Sequence, residues 1–81
     1  MEEAMAKELQ VLAEWDDEAC VWVASSPDVY GLNVEAETLE QLSVKVAGAL
    51  QDLFELNGPK MTGPVGVAIH ADKRIQVTVA A

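Results

Sequence analysis

Cysteine, histidine and basic side chains are scarce in this sequence. Its 81 residues hold one cysteine, one histidine and five Lys and Arg, against 14 Asp and Glu, for a formal net charge of −9. A lone Cys20 excludes an internal disulfide framework and any Cys-rich zinc site. Affinity for phosphate comes mainly from clustered Lys and Arg, so direct nucleic-acid binding is not expected. The same balance is unsuited to an anionic membrane surface. No apolar run approaches the roughly 18 residues of a membrane span. Residues 1–10 are acidic and lack the basic start and apolar run of a secretory signal. The expected location is therefore the cytoplasm.

Hydrophobic residues are not scarce: they make up 51% of the chain. Disorder requires high charge together with low hydrophobicity, and the second condition fails. The length suits one small domain, here residues 7–81 behind a flexible leader of residues 1–6. A domain of this size buries only about 60% of its unfolded surface, so its stability margin is thin. Pairing into a homodimer is a common remedy and is expected here.

In residues 7–15, Leu9, Val11, Ala13 and Trp15 alternate with mostly polar neighbours, the period of a half-buried strand. Residues 16–19 read as a turn, and residues 20–25, with Val21, Trp22 and Val23, as a second strand. A hairpin pairing Trp15 with Cys20, Ala13 with Trp22 and Val11 with Ala24 sets a large side chain against a small one at each step. It places both tryptophans and a buried, inert Cys20 on the inner face. Residues 25–28 (Ser-Ser-Pro-Asp) are turn chemistry, and Gly31 allows a bend. Leu32, Val34 and Ala36 then point inward from a third antiparallel strand.

Thr38 and Gln41 form a capping box. From there Leu39, Leu42, Val46, Ala49, Leu50, Leu53 and Leu56 draw one apolar helical stripe. Asn57, Gly58 and Pro59 are a stop signal. Residues 65–81 are β-like again. Val65, Val67, Ile69, Ile75, Val77 and Val79 all have odd numbers, which fits either a hairpin with a three-residue loop or one bent strand. The fold class is α+β: a two-layer β-β-β-α-β domain, its three-strand antiparallel meander covered on one face by one amphipathic helix. The crossover can place the last strand parallel to the first at a sheet edge, where unpaired backbone groups face a partner.

Chemistry-bearing groups are few. Asp16, Asp17 and Glu18 crowd one turn, but their spacing is not that of a calcium loop, and solvated turn charges are the simpler reading. His70 has polar or small even-numbered neighbours and reads as an outward-facing strand histidine with no local nucleophile. Trp15 and Trp22 lack the basic surround of a base-stacking platform and read as core. No catalytic, metal or cofactor residue is assigned, and the chain is read as a non-enzyme.

The segment from Glu14 to Ser25 (EWDDEACVWVAS), the turn Pro27-Asp28-Val29-Tyr30-Gly31-Leu32, and the helix opening at residues 35–42 (EAETLEQL) together resemble a small bacterial domain family of unknown function related to the HicB-like antitoxins. The family shows a W-D-x-E-A-x-V-W-V-A-x-S segment, a turn ending in G-L, and E-A-x-T-L-E-x-L entering a helix. Tyr30 stands where that family usually has proline, and Cys20 where glycine or alanine is common. The resemblance implies a truncated ribonuclease H-like fold without that enzyme's metal-binding carboxylates. It implies a non-enzymatic antitoxin domain that covers the active site of a small basic mRNA-cleaving toxin. The alternative is a stand-alone homodimeric domain with another regulatory or binding role.

The charge is unevenly spread. Residues 1–18 carry seven acids and one base, and residues 19–37 three acids and no base, whereas residues 59–81 carry one acid and three bases. The meander is thus the place for a basic partner, with Asp16, Asp17, Glu18, Asp28, Tyr30 and Glu35 as the expected exposed contacts.

Overall fold

The computed structural model describes residues 8–57 and 64–80. The leader at residues 1–6 and the Gly58-Pro59 half of the helix stop signal lie outside them. Strands β1 (Glu8–Asp16), β2 (Val21–Ser25) and β3 (Asn33–Ala36) precede helix α1 (Leu39–Asn57), which is followed by β4 (Gly66–Asp72). The sheet order is β3-β2-β1-β4. The first three strands form the antiparallel meander, and β4 lies parallel to β1 at the sheet edge. The α+β, β-β-β-α-β arrangement read from hydrophobic periodicity is the observed one.

Alternation decides which side of the sheet is covered. On β1, the odd residues Leu9, Val11 and Ala13 are buried, while Glu8, Leu12 and Glu14 are exposed. Ala24, Leu32 and Ala36 complete the sheet side of the core, and Leu42, Val46 and Leu50 supply the helix side. The alanines matter because Ala13 faces Ala24 across the β1–β2 pair. Small side chains there let the helix approach until Leu42, Val11 and Val46 are sealed. No polar or charged residue is buried among the described residues.

The helix starts where the cap chemistry puts it. Thr38 Oγ1 accepts from Gln41 N at 3.1 Å, and Thr38 O accepts from Leu42 N at 2.9 Å. The apolar stripe is buried in its middle and exposed at its ends, with Leu39 36% and Leu56 81% accessible. Gly31 has φ 93°, a left-handed bend that side chains with a Cβ rarely adopt, and it turns the chain into β3.

Three expectations need correction. The hairpin keeps the predicted faces but slides by two residues: Trp15 faces Trp22, Asp16 faces Val21, and the loop is residues 17–20. Asp16 causes this shift. Its Oδ1 accepts from Glu18 N (3.0 Å) and Ala19 N (3.2 Å), and its carbonyl accepts from Cys20 N at 2.7 Å, so the strand continues through Asp16. Cys20 is consequently exposed in the turn at φ 58°, rather than buried beside Trp15. Finally, residues 73–80 form neither a hairpin nor more of β4. They have no strand partner, turn or bend among the described residues.

Candidate functional site

Among the described residues one helix covers one face of the sheet, and the other face is left open. Strand register fixes what that face displays. Glu35 on β3 lies beside Val23, Val23 beside Glu14, and Glu14 beside Asp72, so three carboxylates and one valine make a row across all four strands. The neighbouring row runs Asn33, Ser25, Leu12 and His70. Leu12 is 43% exposed there, the apolar member of an otherwise polar row.

The acidic row meets the β1–β2 turn at one corner. Glu14, Asp16, Asp17 and Glu18 line a shallow hollow of about 490 Å³ with Trp15 and Val23. Glu14 and Asp17 line a second hollow, of about 260 Å³, with Trp15, Asp72 and Arg74. Trp15 anchors this corner. Its ring meets Trp22 edge-on at 5.4 Å and 65°, and its Nε1 donates to Asp17 Oδ1 at 2.6 Å. Lys73 Nζ sits 4.4 Å from the Trp15 ring centroid, a cation over an aromatic face. Arg74 Nη2 reaches Asp72 Oδ2 at 3.2 Å. Both tryptophans are half-buried on the helix side of the sheet, so their packing role stands, with Trp15 at its rim.

The six expected contact residues separate into two groups. Asp16, Asp17, Glu18 and Glu35 belong to the acidic face and its corner. Asp28 and Tyr30 lie toward the other end, because Asp28 Oδ2 accepts from Gln10 N at 2.8 Å, near the start of β1. Gln10 and Asp16 are six residues apart on one strand, roughly 20 Å. Asp28 also has a structural duty. It and Ser26, whose Oγ donates to Gln10 O, continue the β1 ladder past the end of β2. Tyr30 is 99% exposed and isolated from the acidic corner. Two members of the acidic face were missed. Glu14 was legible from its parity opposite Trp15; Asp72 was not, since its place beside Glu14 depends on the parallel β1–β4 register.

These carboxylates spread along a surface without converging. Among the described residues no group of three His, Cys, Asp or Glu is placed to hold a metal ion. His70 is exposed, with Nε2 against Gln10 Oε1, and no Ser or Cys lies within hydrogen-bonding distance of its ring. What the arrangement offers is an extended negative potential on a firm sheet, able to attract and orient a basic surface.

A family model described as a domain of unknown function (DUF1902) matches residues 8–81. The chain belongs to the DUF1902 family. A solved structure, that of the hypothetical protein TTHA1013 from the extremely thermophilic bacterium Thermus thermophilus, is similar to it at 44% identity and TM-score 0.74. The similarity covers 88% of this chain and 100% of the Thermus chain. No curated protein matches the sequence. Neither DUF1902 nor the Thermus protein is described with an activity, and neither description names HicB. No helix among the described residues is long and apolar enough to cross a membrane.

Proposed function

We propose that this DUF1902 domain is a non-enzymatic protein-interaction module that uses its open, acidic sheet face to bind a basic protein. One observation carries the reading: Glu35, Glu14 and Asp72 line up across the uncovered face and join Asp16, Asp17 and Glu18 at one corner. Arg74 offsets Asp72 from within the chain; the remaining carboxylates repel one another, and a cationic partner relieves that repulsion while gaining on-rate. The resemblance of the 14–25 and 35–42 segments to HicB-like antitoxins supports a specific partner class, a small basic mRNA-cleaving toxin whose active site the domain would cover. Capture from the native host tests this. Recovery of a small basic protein, with on-rates that fall several-fold in the E14K/E35K variant and lose their salt dependence, is the expected result. An unchanged on-rate removes this face from the interaction.

A second reading is a stand-alone homodimer in a regulatory or binding role. The unpaired apolar residues of the 73–80 segment favour it. Capture that returns only the chain itself, with no small basic protein encoded beside it, leaves that reading in place.

A further inference from the structure

The apolar side chains after β4 have no packing partner among the described residues. Ile75, Val77 and Val79 are 73%, 73% and 83% exposed, the fraction expected of a surface lysine rather than of branched aliphatics. Their spacing of two puts them on one side of an extended segment. That segment has a fixed origin: Lys73 rests on Trp15 and Arg74 on Asp72. The described residues have a radius of gyration of 15.8 Å and a long axis of 57 Å. A compact domain of this length has a radius of gyration of roughly 11 to 12 Å. The segment therefore runs away from the body of the fold and does not fold back on it.

The same chain carries a matching vacancy in its architecture. β4 pairs with β1 along one side only, leaving the amides and carbonyls of its other side as a sheet edge. Its helix-side face is poorly covered, with Val67 37% exposed. Beside it, Leu50, Phe54, Val65 and Val67 line a mainly apolar groove of about 240 Å³ between α1 and β4. An exposed edge strand next to an apolar groove is a template for one more strand.

We infer that residues 73–80 of one copy form that strand on β4 of a second copy, reciprocally about a two-fold axis, joining two four-stranded sheets into one. Antiparallel partners in such a pair have numbers adding to a constant, so an even constant sets odd residues against odd residues. Centred on residue 73, the register places Val79 opposite Val67, Val77 opposite Ile69 and Ile75 opposite Ala71, all on the helix side. The same register sets Asp72 against Arg74 of the second copy, an opposite-charge pair, and Lys73 against Lys73 at the axis, a like-charge pair whose members each lie over their own Trp15 ring. Each tail then covers the other copy's groove, and both β4 edges are paired, leaving only the short outer side of each tail. Apart from Asp72, the acidic faces remain open on the opposite side, so this inference does not depend on the toxin reading.

The full-length chain, alone and at micromolar concentration, tests it by sedimentation and by amide hydrogen exchange. The expected mass is twice the 8.7 kDa of the chain, with alternate amides of residues 75–79 protected at least tenfold and more so as concentration rises. A monomer overturns the inference, and so does a dimer whose 75–79 amides exchange at free-chain rates. The I75D/V77D variant is expected to sediment as a monomer while its Leu42 and Val46 resonances stay in place, since the changed residues lie outside the core. A dimer that survives both substitutions also overturns it. No basic partner is present in any arm, so failure here leaves the acidic-face reading untouched.

Discussion

The two sides of the sheet are built from the same kinds of residue and finished differently. Over β1, β2 and β3, the helix closes on alternating apolar residues, and Val11, Ala13 and Ala24 reach 0% exposure. On the β4 side the alternation is just as regular, yet Val67 and the 75–79 residues stay accessible. Burial of a Val or Ile side chain is worth about 1.5–3 kcal/mol, so the second side leaves several such contributions unrealised in a single chain. The sequence pattern is equally strong in both. The difference is whether a covering layer exists within the same chain, and one 19-residue helix is too narrow to cover four strands.

The largest expected effect contrasts the two sides directly. Leu42 is fully buried in the first turns of the helix stripe. Leu42→Ala should lower unfolding free energy by about 3 kcal/mol in urea titrations. Ile75→Ala should cost under about 0.5 kcal/mol at submicromolar concentration, as a surface change does. Its cost should grow with protein concentration if a second copy covers it. An Ile75→Ala effect that is large and independent of concentration would mean that the tail packs within its own chain, and the contrast between the sides would collapse.

A smaller effect probes how closely the finished side is packed. Ala24 faces Ala13 beneath the helix and has no exposed surface. Ala24→Leu adds volume in the sealed layer beneath the helix and should cost about 1–3 kcal/mol. A melting temperature equal to that of the parent would show that the helix can lift at little cost. Next in size is Thr38→Ala, which removes the acceptor for Gln41 N and should cost about 1 kcal/mol in the same titration.

What could be read from the sequence follows from how local each signal is. The helix from 39 to 57 was legible because cap and stripe lie within the element itself. Strand faces were legible because parity survives a slip of two residues, which is why Val11, Ala13 and Ala24 were placed inside although the hairpin register was wrong. The register itself turned on one side chain: Asp16 binds the amides of Glu18 and Ala19 and carries the strand one residue further. The acidic corner was half legible. Asp16, Asp17 and Glu18 are neighbours in sequence, whereas Asp72 joins Glu14 only through a crossover of some 50 residues. Asp28 looked like a free surface charge because its partner, Gln10 N, is 18 residues away. Residues 75–79 read as strand because their alternation is that of a strand; nothing in alternation says which chain the neighbouring strand belongs to.

The smallest expected effect concerns the turn that fixes the hairpin. Cys20 holds φ 58°, a left-handed conformation that disfavours residues bearing a Cβ by about 1 kcal/mol. Cys20→Gly removes that penalty but adds freedom to the unfolded chain, worth about 0.5–1 kcal/mol in the opposite direction. It also loses the weak Sγ contact to Asp17 O at 3.5 Å. The terms nearly cancel, so the melting temperature should move by no more than about 2 °C, a shift equivalent to a few tenths of a kcal/mol. Cys20→Val should fall clearly below both, because a β-branched side chain tolerates this conformation worst. If glycine and valine melted together, the turn would not be held left-handed in solution, and the register that places Trp15 against Trp22, and with it the acidic corner, would have to move.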